Sequence, residues 1–109
     1  MAAPFGIAYA AINLSSTTAL EAVAGKASHY TRVIGAFLMS AADATVTIQS
    51  SSGAALIGPC AVGATSGFVL TPSMIGYCQS AISGGSIYIQ NSTASQLGGV
   101  LITVQEGAT

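Results

Sequence analysis

Apolar and polar residues alternate with a period of two along most of this chain, and this period constrains the fold more than any other feature. The clearest case is the segment 44–49, where Val46 and Ile48 alternate with threonines and a glutamine. Successive side chains of a β-strand point to opposite faces, so the pattern predicts a strand that buries one face. Residues 86–90 repeat the pattern. We therefore predict an all-β protein.

Two further β-prone segments extend this prediction. Residues 30–40 are rich in branched and aromatic side chains, and Gly35 within them indicates a bulge or a close approach of two backbones. Residues 100–104 are apolar except for Thr103. Three residues of this last segment are predicted to point inward: Val100, Ile102 and Val104.

Clusters of Gly, Ser and Pro separate the predicted strands. They lie at residues 51–53, 58–59, 83–85 and 98–99. Such residues form tight turns, and short strands at a spacing of roughly ten residues are typical of an antiparallel sandwich or barrel. The first cluster predicts a hairpin. Shorter strands are predicted at residues 54–57 and 67–70.

Local composition also predicts two single helical turns. One lies at residues 18–24, where Ala, Leu and Glu cluster before Gly25, and the other lies at residues 72–75. No linker divides the chain. We predict that residues 13–109 form a single small antiparallel β-sandwich domain, and that residues 1–12 form an extended N-terminal arm or an edge strand.

The N-terminal segment carries its own apolar alternation. Phe5, Ile7 and Tyr9 occupy every second position and share one face of an extended chain. We predict that these three side chains contact another chain, and that removal of residues 1–12 weakens assembly while the core still folds.

Charged residues are scarce. No charged residue lies between Asp43 and Glu106, and such residues make up 5% of the chain against roughly 25% of an average soluble domain. Gly, Ser and Thr interrupt this run, so no stretch approaches the ~18 continuous apolar residues of a membrane-spanning helix, and no membrane partner is predicted. So few charges indicate that much of the protein surface is normally covered by copies of the chain or by another protein.

Residues that carry chemistry are few and scattered. Lys26 and Arg32 are the only cations, too few for the several phosphate contacts of nucleic-acid binding, so no direct nucleic-acid binding is predicted. His29 is the only histidine, and no serine lies in a Gly-x-Ser-x-Gly nucleophile pattern. The acidic, histidine and cysteine residues lack the short spacings of metal sites. We predict no enzymatic activity, no metal and no cofactor.

Two cysteines, Cys60 and Cys78, are fewer than a secreted disulfide scaffold usually carries. We predict that they are unpaired, buried thiols in a protein made in a reducing cytoplasm.

Four tyrosines are spread along the chain: Tyr9, Tyr30, Tyr77 and Tyr88. Tyrosines in small β proteins serve as interface anchors or lie at the rim of the core. They also stack on sugars, so carbohydrate binding stays open as an alternative.

An ordered series of segments connects the chain to a known family. These segments are Leu20-Glu21-Ala22-Val23-Ala24-Gly25-Lys26 leading into Arg32-Val33-Ile34-Gly35, then residues 44–50, residues 55–59 and residues 97–104. In this order they resemble the small capsid decoration (cement) proteins of tailed bacteriophages. The resemblance covers roughly residues 18–105, and Gly-Lys followed by Arg-Val-Ile-Gly is its most specific part.

The resemblance implies a jelly-roll-like β core and a structural role in the virion. It implies a protein made in the host bacterial cytoplasm that binds the outer surface of the major capsid protein shell. There it would form a homotrimer and stabilise the phage head. The alternative is a tail, fibre or adhesin-type β module that binds a receptor or glycan.

Overall fold

The computed structural model describes residues 7–50, 55–71, 79–80 and 84–107. Within these residues the chain forms eight β-strands and no helix. The strands are β1 Ile7–Leu14, β2 Leu20–Val23, β3 His29–Ser40, β4 Ala44–Ser50, β5 Ala55–Val62, β6 Ser66–Leu70, β7 Ile87–Asn91 and β8 Leu97–Gly107. The prediction of an all-β fold is confirmed.

The strands form two four-stranded antiparallel sheets. The first sheet has the order β1-β8-β3-β6, and the second has the order β2-β7-β4-β5. Each sheet therefore combines strands from both halves of the sequence. Eight strands in two sheets with this interleaved order form a jelly roll, the fold in which two Greek keys make a sandwich.

The core lies between the two sheets and consists of aliphatic side chains from alternate strand positions. In β4 the buried and half-buried residues alternate without exception, and Val46 and Ile48 are each 1% exposed, as predicted. Ile87 and Ile89 of β7 are fully buried beside them. Burial of each such side chain contributes about 1.5–3 kcal/mol, so these four residues anchor the second sheet.

Gly35 marks a bulge in β3, as the sequence predicts. The register of β3 with β8 shifts between Val33, which pairs with Thr103, and Gly35, which pairs with Ile102. A Cβ atom at Gly35 would lie 3.3 Å from Ile102 Cδ1 and 3.4 Å from the carbonyl oxygen of Leu70. The backbone of β3 therefore packs tightly at this bulge, and a larger residue would need Ile102 to shift by a few tenths of an ångström.

The predicted orientation of β8 is wrong. Leu101 and Thr103 are fully buried in the sandwich, whereas Val100 and Ile102 lie half-buried on the other face. Of the three residues predicted to point inward, Val104 alone is buried. The cause is that both faces of this segment are apolar and its single polar residue, Thr103, points into the core.

The helical turn predicted at residues 18–24 is also wrong. Leu20–Val23 form strand β2, in which Leu20 pairs with Ile89 and Val23 pairs with Ile87. One turn of helix is unstable by itself, so the tertiary pairing with β7 outweighs the helix propensity of Leu, Glu and Ala. The helical turn predicted at residues 72–75 lies outside the described residues.

Two predicted turns are parts of strands. Gly58 and Pro59 lie inside β5, next to register irregularities in its pairing with β4. Pro is accepted there because β5 is an edge strand, so the missing N–H breaks no ladder hydrogen bond. Gly98 and Gly99 lie inside β8. The hairpin pairing of β4 with β5 is as predicted, although its turn residues 51–53 lie outside the described part.

Candidate interaction surface

The outer face of the first sheet carries a continuous set of apolar residues. In an antiparallel sheet, residues directly opposite each other share a face. Ala11 of β1 pairs with Val100, Val100 pairs with Phe37, and Phe37 pairs with Val69 of β6. One row of four apolar residues therefore crosses the whole sheet.

Neighbouring rows extend this set along the strands. Tyr9 pairs with Ile102, and Met39 pairs with Gly98 and Gly67. Seven residues make up the resulting surface, here called the apolar face: Tyr9, Ala11, Phe37, Met39, Val69, Val100 and Ile102.

The apolar face holds every large hydrophobic side chain that is exposed among the described residues. Tyr9 is 70% exposed, Val69 54%, Met39 46% and Phe37 45%. Single exposed apolar residues are ordinary on a protein surface, but a contiguous patch marks a site of interaction. These four side chains share one face of one sheet, so the patch is a candidate interaction surface.

A cleft opens at one end of the apolar face. It has a volume of about 480 Å³. Phe37 and Met39 line it with apolar side chains. Gly98 and Gly99 also line it, and because they have no side chains they do not fill the space. The remaining lining residues are Ser40, Ala41, Thr65 and Gln96. The cleft therefore combines an apolar wall with a few polar groups.

The apolar face contains no charged residue. The nearest charges on the same sheet are Arg32 and Glu106, which pair with each other at 3.7 Å and are partly exposed. Burial of an uncharged face avoids the cost of stripping water from an ion. Burial of this surface would therefore leave no ion without water.

The outer face of the second sheet is polar. Thr45, Thr47 and Gln49 of β4 point outward there. Gln49 Nε2 donates a hydrogen bond to Gln90 Oε1 at 2.7 Å, and Gln90 Nε2 donates to the Thr17 carbonyl oxygen at 3.5 Å. The two glutamine side chains of this face therefore hydrogen-bond within the chain.

The structure places two of the three predicted contact residues in β1. Tyr9 is exposed on the apolar face, and Ile7 is half-buried at the start of the strand. Phe5 lies outside the described residues. Residues 7–12 form part of edge strand β1, which is paired with β8 along its length.

Sequence reasoning missed the other members of the apolar face. A usable signal was present, because Phe37-Leu38-Met39 and Val100-Leu101-Ile102 are consecutive apolar residues. A strand of a sandwich has one face in the core, so such a run leaves apolar side chains on the outside. The prediction that Val100 and Ile102 point inward placed two of these apolar side chains in the core.

His29 and Asp43 each contact a nearby backbone group. His29 begins β3, and its Nδ1 lies 2.9 Å from the Ala27 carbonyl oxygen. Asp43 Oδ1 accepts a hydrogen bond from the Ala64 N–H at 2.7 Å. Cys60 is a free, half-buried thiol, while Cys78 lies outside the described part.

No cluster of three or more metal-ligating side chains occurs in the part of the chain that the structure describes. Nor does any helix in that part have the length and hydropathy needed to cross a membrane.

Comparison of the chain with family models, with curated proteins and with solved structures finds no match. The apolar face therefore has to be interpreted from the residues of this chain.

Proposed function

We propose that this chain is a structural virion protein that binds the outer surface of the major capsid protein shell and stabilises the phage head. The observation that carries the proposal is the gathering of four exposed large apolar side chains on one uncharged face of the first sheet. The resemblance of its ordered segments to capsid decoration proteins supplies the identity of the partner.

The composition of the apolar face matches that of a protein interface. Aromatic residues and Met are enriched at the centres of interfaces, and charged residues are depleted there. Tyr9 and Phe37 provide large contact areas with few rotatable bonds, which lowers the entropy lost on binding. We propose that these two side chains anchor the chain on the shell.

The size of the apolar face supports binding by several linked copies, for which we propose the homotrimer. Four strands at a spacing of ~4.8 Å are about 19 Å wide, and about 20 Å of strand length gives an area of roughly 400 Å². A stable interface needs roughly 800 Å² per partner. One copy would therefore bind weakly, whereas three linked copies would bind with avidity.

The polarity of the second sheet supports one orientation on the shell. Its outer face has hydrogen-bonded Gln49 and Gln90 and is suited to water. In the proposed arrangement the first sheet meets the shell and the second sheet faces the medium. Both faces then have the environment that their side chains favour.

Co-sedimentation with undecorated capsids tests the proposal. The wild-type chain is expected to pellet with capsids. Val69→Glu places a charge on the apolar face at an exposed edge position and should weaken capsid binding at least tenfold, about 1.4 kcal/mol. The matched variant Gln90→Glu places the same charge on the polar face and should bind like the wild type.

Two results would contradict this proposal. One is a wild-type chain that stays in the supernatant with capsids present. The other is a Val69→Glu variant that is folded and pellets as well as the wild type.

The cleft beside Phe37 favours a second candidate function, recognition of a glycan receptor. The aromatic Phe37 beside the exposed Gln96 offers stacking together with a polar contact, a combination that suits sugars. For this function the chain should bind a glycan array and leave capsids unbound. Phe37→Ala should then abolish the array signal.

A further inference from the structure

The two sheets have four edge strands, and these differ in how they are protected. An edge strand exposes unpaired N–H and C=O groups, which can pair with another chain. Proteins limit such pairing with short strands, bulges, prolines and charges. The edges in this fold are β1 and β6 of the first sheet and β2 and β5 of the second.

Three of the edges carry protection. Strand β2 has four residues, one of them Glu21, and its register is irregular. Strand β5 contains Pro59 and pairs irregularly with β4. Strand β6 is short, with five residues, and so offers few unpaired backbone groups.

Strand β1 carries none of these devices. It has eight residues, Ile7–Leu14, and each pairs with β8 in unbroken register. Its sequence contains no Pro, no Gly and no charged residue. Within the described chain β8 is the one strand that pairs with it, so every second residue directs its N–H and C=O to an open edge.

We propose that β1 pairs with β1 of a second copy of this chain, antiparallel and about a two-fold axis at Ala11. The first sheets of the two copies then join across the axis into one continuous sheet. In such a pair the numbers of two facing residues always add up to the same total. With the axis at Ala11 this total is even, so odd-numbered residues face odd-numbered residues and outward side chains lie opposite outward side chains. Ala11 then faces Ala11, and Tyr9 faces Asn13.

The chemistry of the edge fits a second copy. Identical strands with charges would repel each other at a two-fold axis, and β1 has none. The small side chain of Ala11 is exposed and allows close approach, whereas Ala10 packs against the core. The pairing also places the two apolar faces side by side on the same side of the joined sheet.

The expected strength of the contact decides how it is tested. Eight residues at ~3.3 Å each make a strip about 26 Å long and about 10 Å deep, so the pair buries roughly 500 Å² in total. Stable interfaces bury at least about 1,200 Å². The pairing is therefore weak in free solution and is strengthened where copies are held close together.

Neighbouring copies on a capsid shell provide such a setting, because trimers on a closed lattice meet across local two-fold axes. This location of the contact rests on the proposed function. The pairing of β1 with β1 does not, since it follows from the edge itself.

Disulfide trapping tests the pairing. In a Cys60→Ser, Cys78→Ser background, Ala11→Cys places two thiols opposite each other at the axis. Opposed Cα atoms in an antiparallel pair lie 4.5–5.5 Å apart, within the range of a disulfide. Mild oxidation should yield a covalent dimer on a non-reducing gel at least tenfold faster than for Val69→Cys in the same background.

Val69→Cys is a matched control, because it is an exposed position on the same face at the opposite edge of the same sheet. If Ala11→Cys forms dimers no faster than Val69→Cys, the proposed pairing is wrong. A second variant, Ala11→Lys in the wild-type background, should weaken self-association at least tenfold in sedimentation equilibrium. Ala11→Ser should not.

The result separates this inference from the proposed function. Trapping through Ala11→Cys, together with a wild-type chain that stays in the supernatant with capsids present, supports the β1 pairing and overturns the capsid role. Co-sedimentation of the wild-type chain without trapping through Ala11→Cys supports the capsid role and overturns the β1 pairing. Circular dichroism melts of each variant establish that it is folded before either assay.

Discussion

The outer faces of the two sheets differ, although the sheets are built alike. Each has four antiparallel strands, and each lines the core with aliphatic residues on alternate positions. Outside, the first sheet exposes Tyr9, Phe37, Met39 and Val69, whereas β4 and β7 of the second carry threonines and the hydrogen-bonded pair Gln49 and Gln90.

This difference teaches that the fold does not require the apolar face. A sandwich needs apolar side chains on its two inner faces alone, and the second sheet meets this need with a polar exterior. Exposed apolar side chains add nothing to the core and reduce solubility. Their place on one sheet is therefore best explained by a partner.

Substitutions in β8 give the largest expected effects and test which face is which. Leu101→Ala removes a fully buried side chain and should lower the free energy of unfolding by about 2–5 kcal/mol. Ile102→Ala, one position away on the outer face, should cost less than about 1.5 kcal/mol because the side chain is half-buried. Urea denaturation measures both. Equal losses would mean that inner and outer faces of β8 are not distinct.

Gly99→Ala tests whether the strands under the apolar face approach as closely as the structure has them. Gly99 has φ = 144°, and an added Cβ would collide with the Phe37 carbonyl oxygen in the neighbouring strand. We expect a loss of about 2 kcal/mol or more in urea denaturation.

Gly98→Ala is the matched control for Gly99→Ala. A Cβ atom there would lie 3.7 Å from the Ile12 carbonyl oxygen, which is ordinary contact. The loss should be within about 1 kcal/mol. A Gly99→Ala variant as stable as Gly98→Ala would refute the close approach of β8 and β3.

Two buried threonines of the first sheet give the smallest expected effect. Thr103 is fully buried, and its Oγ1 has no hydrogen-bond partner in the described chain. Thr103→Val should raise the free energy of unfolding by about 1 kcal/mol, since an unsatisfied hydroxyl is removed from the core.

Thr31 is equally buried, but its hydroxyl is satisfied. It donates to the Gly85 carbonyl oxygen at 3.5 Å and accepts from Gln105 Nε2 at 3.3 Å. Thr31→Val should therefore lower the stability by about 1 kcal/mol. Thermal melts of the two variants should shift in opposite directions, and shifts of the same sign would contradict this account.

The sequence predicted the inward residues correctly where one face of a strand is polar and faces solvent. Strands β4 and β7 alternate cleanly, so their inward residues Val46, Ile48, Ile87 and Ile89 were predictable. Gly35 was predictable as a bulge because glycine inside a β-prone run has few other uses.

The same reasoning failed where both faces of a strand are apolar or where distant strands set the conformation. The face of β8 could not be read from Val100–Val104, because only the packing of β3 and β1 distinguishes Leu101 from Ile102. Strand β2 has helix-forming residues and becomes a strand because β7 offers an edge. Gly98 and Gly99 resembled a turn but lie inside β8, where Gly99 allows the backbone of β3 to approach closely.

The sequence by itself determined that this chain is an all-β protein with almost no charge. Period and composition are local properties, so one chain contains them in full. Only the tertiary structure decided that the exposed apolar residues gather on the first sheet and that β1 is its unprotected edge. Those features depend on which strands become neighbours, and the pairing of β1 with β8 or of β3 with β8 joins residues far apart in sequence.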